Sequence, residues 1–139
     1  MLKNHFGEKR KIDNVINQFF SLFNNKNQSI PDLDAICNLC IPGAIIIRKA
    51  GPDQVIDTLE SFISPRKIIL SDGTITDFEE FEIKEETVVI KNIAHRYSRY
   101  QKNGIMHGNP FTVLGNKFFH LIKTGENWEI VSLIWEDDE

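Results

Sequence analysis

Apolar residues recur every three or four positions in the first part of the chain. In residues 8–27, EKRKIDNVINQFFSLFNNKN, the recurring positions are Ile12, Val15, Ile16, Phe19, Phe20 and Phe23. This spacing predicts an amphipathic helix with an aromatic inner face, followed by an asparagine-rich turn.

Two more helices and one strand are predicted before Pro65. Pro31 and Asp32 suit the start of a second helix, and Pro42-Gly43 suits its end. The β-branched run AIIIRKAG, residues 44–51, is typical of a buried strand. A third helix is predicted in PDQVIDTLESFIS, residues 52–64, with these residues facing inward: Val55, Ile56, Leu59, Phe62 and Ile63.

After Pro65 the pattern changes to alternation and turn signals. Asp72-Gly73 precedes one strand, and ETVVIKNIAHRYSRYQKNG (residues 86–104) is a long strand candidate ended by a turn at Asn103-Gly104. Two more strands flank a turn at residues 124–127. Helices followed by long antiparallel strands predict an α+β fold, with the helices on one face of a curved sheet. No repeat or low-complexity linker interrupts residues 1–139, so we expect a single domain with a pocket between sheet and helices.

Composition and charge exclude several classes of protein. The net charge is −4, whereas duplex binding needs a positive field, so we expect no nucleic-acid partner. No apolar stretch is long enough for a membrane span, and the first fifteen residues lack the apolar core of a secretory signal. The two cysteines, in CNLC, lack the further ligands of a zinc site. We therefore expect a cytoplasmic protein without metal or cofactor.

The segment HRYSRY, residues 95–100, holds the main candidates for chemistry. Alternate residues of a strand share a face, so His95 and Tyr97 follow Ile93 if that residue points inward, and Arg96 then lies on the outer face. A neutral imidazole beside a phenol could exchange a proton with a substrate, although both residues also suit ordinary strand packing. A bulge would exchange the faces and turn Arg96, Ser98 and Tyr100 inward instead.

Two further residues are weaker candidates for proton transfer. His120 lies in KFFHLIK, in phase with Phe118, and suits either a pocket acid or base facing His95 or a hydrogen-bonded core histidine. Asp57 lies at the edge of the apolar face of the third predicted helix. It suits a general base in an apolar pocket, but helical spacing favours a solvated side chain.

Three stretches in order carry a family resemblance: DLDAICNLCIPGAIIIRKAG (32–51), GPDQVIDTLESF (51–62) and FFHLIKTGENWEIVSLIWEDDE (118–139). They resemble the nuclear transport factor 2-like superfamily, and its SnoaL-like branch most closely. The resemblance implies a cystatin-like α+β cone, with a curved antiparallel sheet wrapped around N-terminal helices, and a homodimer through the sheet's outer face. The helix has Phe19, Phe20 and Phe23 where a ketosteroid isomerase has a tyrosine, which argues against that activity.

Three functions remain open from the sequence. The first is a small-molecule-binding domain for an apolar or polycyclic ligand. The second is a lyase, isomerase or hydrolase that uses His95 and Tyr97, or Asp57, for proton transfer. The third is a non-enzymatic dimeric assembly module. For the first two we expect the pocket to be lined by Phe19, Phe23, Ile46, Phe62, Phe118 and Trp135.

Overall fold

The computed structural model describes residues 5–138 and contains two α-helices and six strands in this part of the chain. Two short 3₁₀ helices, Lys26–Gln28 and Leu33–Asn38, follow the first helix. The bounds are α1 His5–Ser21, β1 Cys40–Ala50, β2 Asp53–Asp57, α2 Leu59–Ile69, β3 Ile75–Ile90, β4 Ile93–Met106, β5 Asn109–Thr124 and β6 Asn127–Asp137.

The six strands form one curved sheet in the order β2-β1-β6-β5-β4-β3. All neighbours are antiparallel except β1 and β6, which pair in parallel from Cys40 opposite Ile130 to Lys49 opposite Glu136. The predicted α+β fold is therefore confirmed.

Helix α1 lies against the inner face of the sheet through its apolar stripe. Ile12, Ile16 and Phe19 are almost completely buried, as their helical spacing predicts. The Phe19 and Phe119 rings meet edge to face, with centroids 5.4 Å apart. Aromatic pairs favour this geometry, and the contact fixes α1 against β5.

One asparagine side chain holds three elements together where α1 ends. The buried Asn25 amide donates to the carbonyls of Leu70 at 3.0 Å and Ile75 at 2.7 Å. Its oxygen accepts from the Phe78 backbone N–H at 2.7 Å. Asn25 therefore joins α1, the end of α2 and the start of β3.

Several predicted boundaries are wrong. The second helix is only the 3₁₀ helix Leu33–Asn38, and Pro42-Gly43 lies within β1. The segment 53–57 is the edge strand β2, so Val55 and Ile56 are 50% and 65% exposed instead of facing the core.

Helix α2 begins later than predicted because Thr58 caps it. The Thr58 side chain accepts from the Ser61 N–H, and the Ser61 hydroxyl accepts from the Thr58 N–H. The helix continues through Pro65 to Ile69, although proline removes one backbone donor.

The long strand predicted over residues 86–104 is interrupted by a tight turn. Lys91 has a φ of 53° and, with Asn92, joins β3 to β4. The turn predicted at Asn103-Gly104 lies instead at His107-Gly108, where both residues have positive φ.

Candidate functional site

A cavity of about 680 Å³ lies between the inner face of the sheet and the two helices. Its deepest lining is aromatic, because α1, α2 and β6 each direct large rings into it. Phe23 and Phe62 meet edge to face at 6.1 Å, and Phe62 meets Trp135 at 5.7 Å. Met106, His107 and Pro110 also line the cavity and are exposed, so it opens beside the β4–β5 turn.

A buried ion pair lies in the cavity wall. Lys117 Nζ is 2.7 Å from Glu80 Oε2, and each side chain is only 7% exposed. No donor among residues 5–138 is aligned for a hydrogen bond to Glu80 Oε2. The negative charge of Glu80 is therefore compensated by the ion pair with Lys117. Burial lowers the pKa of Lys117, and the Glu80 carboxylate opposes that shift only in part.

The ammonium of Lys117 is also surrounded by aromatic faces. It lies 4.0 Å from the centroid of the Tyr100 ring and 5.2 Å from that of Trp135. Such contacts stabilise the protonated form of a buried lysine.

A second polar group lies beside this pair. Tyr100 Oη donates a hydrogen bond to Asp137, and Lys102 Nζ is 2.9 Å from the same carboxylate. Burial favours the protonated acid, but the Tyr100 hydrogen bond and the Lys102 charge outweigh it, so the pKa of Asp137 is lowered. The pKa of Tyr100 is raised by burial and by Asp137, which keeps the phenol protonated.

Tyr100 reaches across the sheet because the residue opposite it is a glycine. Tyr100 pairs with Gly115 across β4 and β5. A Cβ at Gly115 would lie 2.2 Å from Tyr100 Oη and 2.7 Å from the Glu136 carbonyl oxygen. The absence of a side chain at residue 115 therefore makes the Tyr100–Asp137 contact possible.

Two arginines complete the lining. Arg66 of α2 stacks on Phe62, its Cζ 3.9 Å from the ring centroid, and its Nη1 donates to the Phe62 carbonyl at 2.9 Å. Arg48 of β1 lies on the inner face, in register with Trp135 of β6, and is exposed at the edge of the cavity. Neither guanidinium has a carboxylate within 4.0 Å among the described residues.

Four of the predicted pocket residues line the cavity, and two do not. Phe19, Phe23, Phe62 and Trp135 contribute to the wall. Ile46 is buried on the inner face but packs in the core. Phe118 is 44% exposed on the outer face, because residue 119 is the inward position of this part of β5.

The condition that makes His95 and Tyr97 pocket residues, an inward Ile93, is not met in β4. Ala94, Arg96, Ser98 and Tyr100 are buried, whereas Ile93 is 60% exposed and His95 and Tyr97 follow it on the outer face. The β4–β5 pairing is regular, whereas the β3–β4 pairing has two register shifts in β3, between Thr76 and Glu79 and between Glu82 and Lys84. The inward face is thus the one that the sequence offered as the alternative, but without a bulge in β4.

The other predicted acid–base residues also lie outside the cavity lining. His95 and His120 pair across β4 and β5 on the outer face, with ring centroids 5.1 Å apart, and Ser132 Oγ is 3.3 Å from His120 Nδ1. Asp57 ends β2, where it accepts a 2.8 Å hydrogen bond from Ser61 Oγ. Asp57 therefore lies just before the N-cap of α2, whereas the sequence predicts it inside a helix.

Arg96, expected on the outer face, is at the centre of a buried ionic network. Its guanidinium donates to both oxygens of Glu82, at 3.1 and 2.6 Å, and also to Asp13 of α1. Ser98 donates to Glu82 as well. This network joins α1 to β3 and β4 on the inner face of the sheet.

The ionisable lining residues were missed by the sequence interpretation, although the strand pattern contained a signal. Lys117 is in phase with Phe119 and Leu121 in β5, and Glu80 is in phase with Phe78 in β3. A charged residue in phase with core positions is expected to be buried with a partner.

The curved sheet, the helix across its inner face and the cavity between them define the nuclear transport factor 2-like fold. A candidate scytalone dehydratase from Novosphingobium aromaticivorans has a TM-score of 0.78 and 10% identity, over 100% of this chain and 89% of that one. A nuclear transport factor 2-like superfamily protein from Salmonella enterica has a TM-score of 0.73 and 13% identity, over 91% and 88%. The superfamily resemblance predicted from the sequence is therefore confirmed as a likeness of fold.

A third similar structure has a different kind of name. It is a candidate calcium/calmodulin-dependent kinase II association domain from Exiguobacterium sibiricum, with a TM-score of 0.71, 8% identity and coverage of 95% and 94%. No protein-family model matches the chain, and no curated protein sequence does. At these identities the likeness extends to the fold and not to the function.

Two other comparisons with the sequence expectations concern metals and membranes. Residues 5–138 contain no group of three or more histidine, cysteine or acidic side chains placed to hold a metal ion. Among the described helices, none combines the length and apolar character of a membrane span.

Proposed function

We propose that the chain is a SnoaL-like small-molecule-binding domain whose cavity takes a ligand with an apolar, aromatic or polycyclic body. The observation that carries this proposal is the aromatic cavity of about 680 Å³. Ligand pockets commonly measure about 300–1,000 Å³, with apolar walls and a few polar groups. Phe23, Phe62 and Trp135 offer ring faces and edges to a flat ligand.

Binding of the neutral fluorescent probe N-phenyl-1-naphthylamine tests the proposal. Val113 lines the cavity, so Val113→Trp should fill part of it and abolish the fluorescence increase. Ile30 is 79% exposed in a loop outside the cavity, and Ile30→Trp is the matched control that should bind as the unchanged protein does. Equal binding by both variants would place the probe elsewhere and overturn the proposal.

A proton-transfer enzyme is the second candidate, and the Glu80–Lys117 pair favours it. A buried carboxylate and ammonium 2.7 Å apart in the cavity wall can accept and return a proton at a bound carbonyl compound. The lowered pKa of Lys117, which follows from its burial, brings its neutral form closer to working pH. This pair replaces His95, Tyr97 and Asp57 as the candidate acid–base groups.

Hydrogen–deuterium exchange at 2-tetralone, an enolisable bicyclic ketone, tests this second function by NMR in D₂O. We expect the protein to accelerate exchange, and Lys117→Met to remove the acceleration. Lys123→Met is the control, because Lys123 pairs with Glu8 at 2.8 Å outside the cavity. Exchange no faster than in buffer would exclude this ketone chemistry and leave the binding function in place.

We also propose that the chain forms a homodimer through the outer face of the sheet. This surface carries seven exposed apolar residues from five strands: Ile45, Val88, Ile90, Ile93, Phe118, Ile122 and Ile134. A clustered apolar surface of this kind commonly marks an interface. Light scattering should show that Phe118→Glu yields a monomer, whereas Ile30→Glu, at an exposed loop residue, does not. Dimers in both variants would exclude this interface.

A further inference from the structure

More cationic than anionic side chains line the cavity. Besides His107, the wall carries four cationic and two anionic side chains: Arg48, Arg66, Lys102, Lys117, Glu80 and Asp137. Each lysine has a carboxylate partner, Lys117 with Glu80 at 2.7 Å and Lys102 with Asp137 at 2.9 Å. The two arginines therefore remain as a surplus of two positive charges, in a chain whose net charge is −4.

Arg66 differs from an ordinary surface arginine because its surroundings are partly buried and aromatic. The guanidinium lies over the Phe62 ring and 5.5 Å from the centroid of Trp135, and its described hydrogen bond uses one of five donors. Burial lowers the pKa of Arg66; the carboxylates of Asp57 and Glu80 act against this shift without contacting the guanidinium, and the charge of Arg48 adds to it. The two guanidiniums therefore lie within electrostatic reach of each other. A partly buried cation with unused donors favours an anion at that place.

We propose that Arg48 and Arg66 form an anion subsite at the edge of the cavity, which selects apolar ligands that carry a carboxylate. The planar guanidinium presents paired N–H donors that match the two oxygens of a carboxylate. The apolar body of the ligand then lies against Phe62 and Trp135, next to the subsite. This inference rests on the proposed binding function and adds to it the chemical class of the ligand.

The test compares 2-naphthoate with 2-naphthamide, which has nearly the same shape and no charge, by isothermal titration calorimetry. We expect 2-naphthoate to bind at least about tenfold more tightly than the amide, since a hydrogen bond to a charged group contributes about 1.5–3 kcal/mol. Arg66→Gln should bring the two affinities close to each other, chiefly by weakening the binding of 2-naphthoate. Arg66→Lys should restore it only in part, because lysine lacks the paired donors.

Arg10→Gln is the matched control, since it removes the same charge from an exposed position of α1 outside the cavity. It should leave both affinities unchanged. Arg48→Gln should weaken the binding of 2-naphthoate more than that of 2-naphthamide. Equal affinity of the unchanged protein for the two probes would overturn the anion subsite while the binding function stands. Binding of neither probe would overturn both, and tighter binding of 2-naphthyl phosphate would overturn the carboxylate as the selected group.

Discussion

Arg96 allows the sharpest test of how the interior is stabilised, because the same strand contains a matched control. Arg96 and Arg99 lie three residues apart in β4 and point to opposite faces. The Arg96 side chain is 2% exposed and contacts Glu82, which is 10% exposed. Arg99 pairs with Asp138 on the surface at 2.7 Å, with exposures of 24% and 44%. Both arginines have well-formed ion pairs, so the comparison sets a buried ionic network against a single exposed ion pair.

We expect Arg96→Met to lower the free energy of unfolding by about 3–5 kcal/mol, since it leaves the carboxylate of Glu82 buried without a cation. Arg99→Met should cost less than about 1 kcal/mol, as is usual for an exposed ion pair. At a typical dependence of about 2 kcal/mol per M urea, the Arg96→Met midpoint should fall by roughly 2 M. Trp128 and Trp135 are both buried, so their fluorescence can follow urea unfolding.

The double variant Arg96→Met/Glu82→Gln distinguishes the effect of an uncompensated buried carboxylate from the effect of lost packing. If the uncompensated carboxylate causes the loss, the double variant should be more stable than Arg96→Met alone. A double variant that is no more stable would refute the reasoning, and so would a loss in Arg96→Met as small as that in Arg99→Met.

Three further predictions concern other parts of the structure. Gly115→Ala should displace the Tyr100 ring and lower stability by about 1–3 kcal/mol, measured by urea unfolding; an unchanged midpoint would contradict the close contact. Asn25→Ala should lower stability by about 2–4 kcal/mol, because two carbonyls and one N–H lose their partner; a loss below about 1 kcal/mol would contradict this. Burial raises the pKa values of Asp13 and Glu85, but the surrounding cations outweigh it and lower both pKa values. Stability should therefore be retained above about pH 4.5 and lost as the pH falls through the lowered values, and a flat profile down to pH 2 would contradict that sign.

The long periodic segments could be predicted from the sequence because many residues agree on one period. Ile12, Ile16 and Phe19 define the buried side of α1 without help from any other element. The helix predicted over residues 52–64 is wrong at its start because Val55 and Ile56 continue the helical spacing of Phe62. Both residues belong instead to an edge strand with exposed side chains. The Thr58 cap was the local signal that separates these two segments.

The face of β4 could not be predicted from local pattern. An apolar Ile93 and a charged Arg96 favour the wrong face when only the strand is considered. The partners that allow Arg96 to be buried are Glu82 and Asp13, which lie 14 and 83 residues away in sequence. The candidate site could not be predicted for the same reason, because Glu80 and Lys117 are brought together only by the arrangement of strands that are distant in sequence.

The central position of β6 has a consequence for the order of folding. Among the described strands β6 is synthesised last, yet it lies between β1 and β5 and is their only hydrogen-bonded link. Until residues 127–137 have left the ribosome, β1–β2 and β3–β5 are two separate sheets with open edges, which are prone to pairing with other chains. We therefore expect slow folding limited by long-range pairing, and strong chaperone dependence of fragments that stop before Asn127.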